Sequence, residues 1–120
     1  MKTILVVEDE VTIAEIVRWT LEDAGYQVIT APNGRVALDC LAQTRPDLVL
    51  CDIMMPILDG RQVCRAIQEN PAYRSIPVIV MTAAIDAISR NECAWVARLN
   101  KPFNLDRMVE TIQGIIGPPG

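Results

Sequence analysis

The chain has 120 residues, 51% hydrophobic and 22% charged, with a formal net charge of −4 and no histidine. A domain of this size buries roughly two thirds of its unfolded surface around one core, and the acidic balance disfavours a general affinity for nucleic acid or anionic membrane, both of which reward clustered Lys and Arg. The missing histidine excludes Ser-His and Cys-His catalysis, imidazole metal sites and an internal phosphohistidine donor.

The opening MKTILVVEDE carries one Lys and a short apolar stretch that runs into three acids, unlike a secretion leader. No segment reaches the ~18 unbroken apolar residues that a membrane-spanning helix needs. Cys40, Cys51, Cys64 and Cys93 are far apart in the chain and form neither a CxxC pair nor a zinc knuckle. They are expected to be thiols in a reducing cytosol.

In chain order, TILVV (3–7) reads as a first buried strand, and residues 10–24 as a helix in which Val11, Ala14, Val17 and Leu21 share a face up to the stop at Gly25. QVIT (27–30) is a weaker strand. Asn33 is placed to cap a helix carrying Val36, Ala37, Cys40 and Leu41. DLVLC (47–51) is a third strand, and Asp59 is placed to cap a helix carrying Val63, Cys64 and Ile67 that Asn70-Pro71 ends. PVIVM (77–81) is a fourth strand and VARL (96–99) a fifth, interrupted by Arg98. Asn104 caps a last helix whose Leu105, Met108, Val109, Ile112 and Ile116 share a face, with Phe103 and Met108 positioned as a hydrophobic staple.

Strands and helices alternating five times predict an α/β fold, because parallel strands need crossovers that pack back on the sheet. The expected architecture is a doubly wound, five-stranded parallel sheet of order 2-1-3-4-5, the flavodoxin-like (βα)5 arrangement. Residues 1–116 form the domain, and GPPG (117–120) is a tail or linker stub.

The unusual polar residues all fall at carboxyl ends of strands: Glu8 and Asp9 after the first, Asp52 after the third, Thr82 after the fourth, Lys101 after the fifth. Open α/β sheets bind ligands in the crevice beyond those ends, where strand order reverses. With the order 2-1-3-4-5 that crevice collects Glu8, Asp9 and Asp52. Three carboxylates repel one another, and a hard divalent ion such as Mg²⁺, with Mn²⁺ as a substitute, offsets the charge. Lys101 adds a point charge, and the Thr82 hydroxyl a donor, for a phosphoryl group. The parts describe phosphoryl transfer onto Asp52. The residue two positions on is Met54, which offers no acid or base to activate water against an aspartyl phosphate, so the intermediate is expected to persist.

These residues make the chain resemble a response-regulator receiver domain of two-component signalling, the CheY-like family, over residues 2–116. ILVVEDE resembles the family's acidic pair, DIMMPILDG its phosphoacceptor motif, VIVMTAA its switch threonine with small residues following, and NKPF its Lys-Pro pair. The resemblance implies Glu8, Asp9, Asp52 and the Met54 backbone carbonyl at the metal, phosphorylation at Asp52, and Thr82 and Lys101 holding the phosphoryl group. It also implies a cis bond before Pro102. The implied donor is a histidine kinase or phosphotransfer protein. The implied output is an effector, an output domain or a phosphorylation-dependent second copy, in the cytoplasm, with no direct nucleic-acid or membrane contact. The implied activity is self-phosphotransfer with slow autodephosphorylation rather than turnover of a substrate.

Arg98 stands three residues before Lys101, where members of this family commonly carry an aromatic coupled to the threonine, so the switch pair here is Thr82 and Arg98. Trp95 takes one of two usually small positions, and the stretch from Thr82 to Lys101 is short for the family. Two rivals share parts of the pattern. A haloacid-dehalogenase-type phosphohydrolase wants a second Asp two residues after its nucleophile, where this chain has Met54. A flavodoxin-like nucleotide binder wants a Gly, Ser or Thr-rich loop after the first strand, where this chain has EDE.

Overall fold

Aliphatic residues alternate between two faces of a central sheet, and that alternation splits the core in two. Leu5, Val7, Val49, Cys51, Val78 and Val80 are buried in one cluster with Ala37, Leu41, Val63 and Ile67. Ile4, Val6, Leu48, Leu50, Ile79 and Met81 are buried in the other with Val17, Leu21, Met108 and Ile112. Strands buried on both faces are what parallel sheets require.

The structure is a computed structural model that describes residues 1–53, 60–83, 95–101 and 104–120, without the side chain of Ala83. Among the described residues there are five strands: β1 (Thr3–Val7), β2 (Gln27–Ala31), β3 (Leu48–Asp52), β4 (Val78–Ala83) and β5 (Ala97–Lys101). Among the described residues there are four helices: α1 (Val11–Asp23), α2 (Gly34–Gln43), α3 (Gly60–Glu69) and α4 (Leu105–Ile116). The sheet is parallel, with order β2-β1-β3-β4-β5. This is the doubly wound order expected from the sequence. Helices α2 and α3 pack on one face, α1 and α4 on the other.

The ends of the elements follow local chemistry. Asn33 Oδ1 accepts from the Val36 amide at 3.0 Å and Asn104 Oδ1 from the Arg107 amide at 3.1 Å, so both expected caps are made. Helix α1 has no side-chain cap at Glu10; it ends at Gly25, whose φ of 104° suits a residue without Cβ. Asp52, Thr82 and Lys101 are not beyond their strands: Asp52 and Lys101 are the last residues of β3 and β5, and Thr82 the next-to-last of β4. The expected Asp59 cap, the Phe103 staple, the bond before Pro102 and the crossover between β4 and β5 lie outside the described residues.

Cys40 and Cys51 are free, as expected. Cys64 corrects the expectation of four thiols: it is disulfide-bonded, with its partner outside the described residues. Separation along the chain limits local motifs such as CxxC but says nothing about which cysteines the fold brings together.

The last residues turn back on the sheet. Tyr26, itself buried, donates from its hydroxyl to the Gly117 carbonyl at 2.8 Å, and the Lys2 amide donates to the Pro119 carbonyl at 3.1 Å. Lys2 Nζ donates to the Ile116 carbonyl. The segment after α4 thus crosses the amino-terminal edge of β1 and β2, opposite the acidic end.

Candidate functional site

Register decides which polar groups meet. Val7 pairs with Cys51 across β1 and β3, so the residues one step further, Glu8 and Asp52, arrive level at the carboxyl edge. Asp52 pairs in turn with Met81, and Met81 with Leu99, which brings the end of β5 alongside. Carboxylate oxygens of Glu8, Asp9 and Asp52 all lie within 4.8 Å of one another. Glu8 is 2% and Asp52 4% exposed, while Asp9 sits nearer solvent.

Lys101 is more than a charge facing the acids. Its Nζ donates to Glu8 Oε1 at 2.8 Å and to Asp52 Oδ2 at 3.0 Å. One ammonium thereby bridges two buried carboxylates. The other Glu8 oxygen, Oε2, accepts from the Glu10 backbone amide at 3.2 Å, a donor that no side-chain pattern announces. Glu8 N donates to the Ala31 carbonyl at 3.0 Å, which ties the loop after β1 to the end of β2.

The electrostatics follow from this crowding. Burial, with the neighbouring Asp52 acting in the same direction, outweighs the Lys101 hydrogen bond and lifts the Glu8 carboxyl from its ordinary 4.5 to about 7. For Lys101 burial acts downward, but the hydrogen bonds to Glu8 and Asp52 prevail and raise its pKa. A nest of oxygen donors whose burial and mutual repulsion favour a proton on Glu8 fits a hard divalent cation, which would supply the positive charge the proton otherwise brings.

Thr82 is 1% exposed at the same end of the sheet, on the strand beside Asp52, and pairs in register with Asn100. Arg98 is elsewhere: it pairs with Val80, two positions below Thr82, and its Nε donates to Asn100 Oδ1 at 2.8 Å. The structure therefore brings Glu8, Asp9, Asp52 and Lys101 into one nest, sets Thr82 at its edge and leaves Arg98 on the outer strand. Met54 lies outside the described residues.

Fold and site together define a class. A family model described as the response regulator receiver domain matches residues 4–113, and the chain belongs to that family. The chain is 34% identical over 121 residues to the polar-differentiation response regulator DivK of Brucella anthropi, covering 97% of each chain. Among solved structures it is similar to the chemotaxis protein CheY4 of Vibrio cholerae, with a TM-score of 0.89 and 31% identity over 96% of this chain and 98% of the other. It is also similar to the receiver domain of the sensor histidine kinase PA1611 from Pseudomonas aeruginosa, with a TM-score of 0.87 and 29% identity over 97% and 98% of the two chains. That receiver holds a magnesium ion in its active-site cleft. Receivers are signalling phosphoacceptors that take phosphoryl groups from histidine kinases and relay the signal to other domains. The phosphohydrolase and nucleotide-binder readings are not favoured. Among the described residues no helix is long and apolar enough to cross a membrane.

Proposed function

We propose that Asp52 takes the phosphoryl group from the phosphohistidine of a partner kinase or phosphotransfer protein. The reading rests on one observation: a carboxylate at a strand end, nearly shielded from water, shares an ammonium with Glu8 and stands within 4.8 Å of carboxylate oxygens of Glu8 and Asp9. An Asp52 oxygen forms the new O–P bond as the P–N bond to the donor breaks, and the leaving imidazole nitrogen keeps the electron pair and takes a proton.

Glu8, Asp9, Asp52 and the Met54 carbonyl would hold Mg²⁺, with Mn²⁺ as a substitute. The ion would neutralise charge on the carboxylates and the incoming phosphoryl oxygens. Lys101 already touches Asp52 Oδ2, so it is placed to follow charge onto the phosphoryl group and to loosen its bond to Glu8 as it does so. Thr82 donates its hydroxyl to a phosphoryl oxygen. With Met54 and Ala84 in the two positions from which a polar side chain would orient water, hydrolysis is slow and the phosphorylated state lasts.

Thr82, Lys101 and, through β5, Arg98 carry the change to an output surface that docks an effector, an output domain or a second copy. Residues 1–116 serve as the receiver, in the cytoplasm. The test is Mg²⁺ with acetyl phosphate, read by intact mass: wild type gains one phosphoryl group and Asp52→Asn gains none. Labelling of Asp52→Asn to the wild-type extent would overturn the assignment, and a phosphoryl lifetime of seconds would overturn the slow-hydrolysis reading.

A further inference from the structure

Gly60 opens α3 directly beneath the phosphoacceptor. A Cβ built on it would stand 2.3 Å from the Asp52 carbonyl oxygen, 2.8 Å from the Ile53 Cα and 3.0 Å from the Asp52 carbonyl carbon. All three are backbone atoms, so no flexible side chain can swing away. Gly60 is not one of the glycines in the left-handed region; among the described residues those are Gly25 and Gly117. Its backbone conformation is therefore open to any residue, and what the position demands is space.

Both sides of the contact are held. The Gly60 amide donates to the Ile53 carbonyl at 3.1 Å, and the Ile53 amide donates to the Met81 carbonyl at 3.0 Å. Helix α3 is pinned to the core by Val63, Cys64 and Ile67. Strand β3 lies between β1 and β4 and cannot retreat sideways. Helix, strand end and nucleophile thus meet at one residue whose missing side chain sets their separation.

We infer that Gly60 is a positioning residue for the phosphoacceptor: its lack of a side chain lets α3 seat on the Asp52–Ile53 backbone and fixes where the Asp52 carboxylate meets Lys101. The inference rests on Asp52 being the acceptor. The carboxylate sits within hydrogen-bond distance of Lys101, and a shift of about 1 Å in reacting groups costs on the order of a hundredfold in rate. Even a fraction of that displacement is felt in phosphotransfer.

Gly114 supplies the control, since a Cβ there meets nothing within 4 Å. The full chain is prepared as wild type, Gly60→Ala, Gly114→Ala and the double variant. Thermal unfolding measures the folded fraction, and Mg²⁺ with acetyl phosphate, followed by intact mass, measures phosphorylation of that fraction. The expected result for Gly60→Ala, alone or with the stabilising Gly114→Ala, is a rate at saturating acetyl phosphate lowered at least tenfold, with the half-saturating concentration within about twofold of wild type. Gly114→Ala alone leaves both unchanged.

A lowered melting temperature with a wild-type rate per folded molecule would overturn the inference, because α3 would then have moved instead of Asp52. Failure of both Gly60→Ala chains to fold would overturn it too, since the contact would then serve the whole fold rather than the nucleophile. Wild type that takes no phosphoryl group overturns the parent reading instead, and the two failures are told apart in the same assay.

Discussion

Two lysines at opposite ends of the sheet show how differently one charge can be used. At the amino edge, Lys2 donates to the Ile116 carbonyl at the end of α4, where the helix leaves its carbonyls unpaired and its dipole negative. Its backbone amide and the Tyr26 hydroxyl bind Pro119 and Gly117 nearby, so each polar group has a complementary partner. At the carboxyl edge, Lys101 is divided between two buried acids, and a third acid stands close by. There the charges outnumber their partners. The first arrangement stabilises the fold, while the second keeps a surplus of negative charge that a divalent cation would relieve.

That contrast is open to measurement. If Lys101 follows charge onto the phosphoryl group as proposed, Lys101→Ala is expected to lower the phosphorylation rate with Mg²⁺ and acetyl phosphate on the order of a hundredfold. A rate within threefold of wild type would show that the ammonium only neutralises resting acids.

Next in size is the effect of pH. Glu8 holds its proton more firmly when folded, with a pKa near 7 against an ordinary 4.5, so across that window the folded state binds more protons than the unfolded one. Stability from this group is therefore present at low pH and is lost as pH rises from about 4.5 toward 7. Mg²⁺ held by Glu8, as proposed, would have to displace the same proton, so its affinity is expected to tighten about tenfold between pH 6 and pH 8 by calorimetry. Glu8→Gln should flatten that slope.

At the quiet end the effects are smaller and confined to stability. Tyr26→Phe removes one hydrogen bond to Gly117 and should cost about 1 kcal/mol in denaturant unfolding, with phosphorylation unchanged. Asn33→Ala, which removes the α2 cap, should cost about the same or less. Either variant slowing phosphotransfer would break the separation between the two ends.

What the sequence makes legible is the part of the molecule governed by local rules. Aliphatic runs of four or five residues mark β1, β3 and β4, and Asn33 and Asn104 mark two helix starts because their side chains bond amides three residues on. The meeting of Glu8, Asp9 and Asp52 is legible as well, since it follows from strand order and the rule that ligands sit beyond strand ends. The edge strands are read less sharply: β5 is half-buried and β2 exposes Gln27 and Thr30, so neither has the unbroken apolar signature of a central strand.

The rest depends on contacts distant in sequence. Nothing near Lys101 reveals that it bridges Glu8, 93 positions away, as well as Asp52. The disulfide at Cys64 and the return of the tail to Lys2 and Tyr26 are of the same kind. Gly60 is visible in the sequence only as the last residue of DIMMPILDG, because the distances that give it meaning are to the backbone of Asp52 and Ile53.

The docked tail has a practical consequence for anyone labelling this protein. Gly120 has open space around it, so a fluorophore or affinity handle joined there should leave the domain undisturbed. Trimming back past Pro119 would instead remove the carbonyl that holds the Lys2 amide, so a shortened version chosen for convenience would lose one of the three bonds that dock this segment and keep those at Ile116 and Gly117.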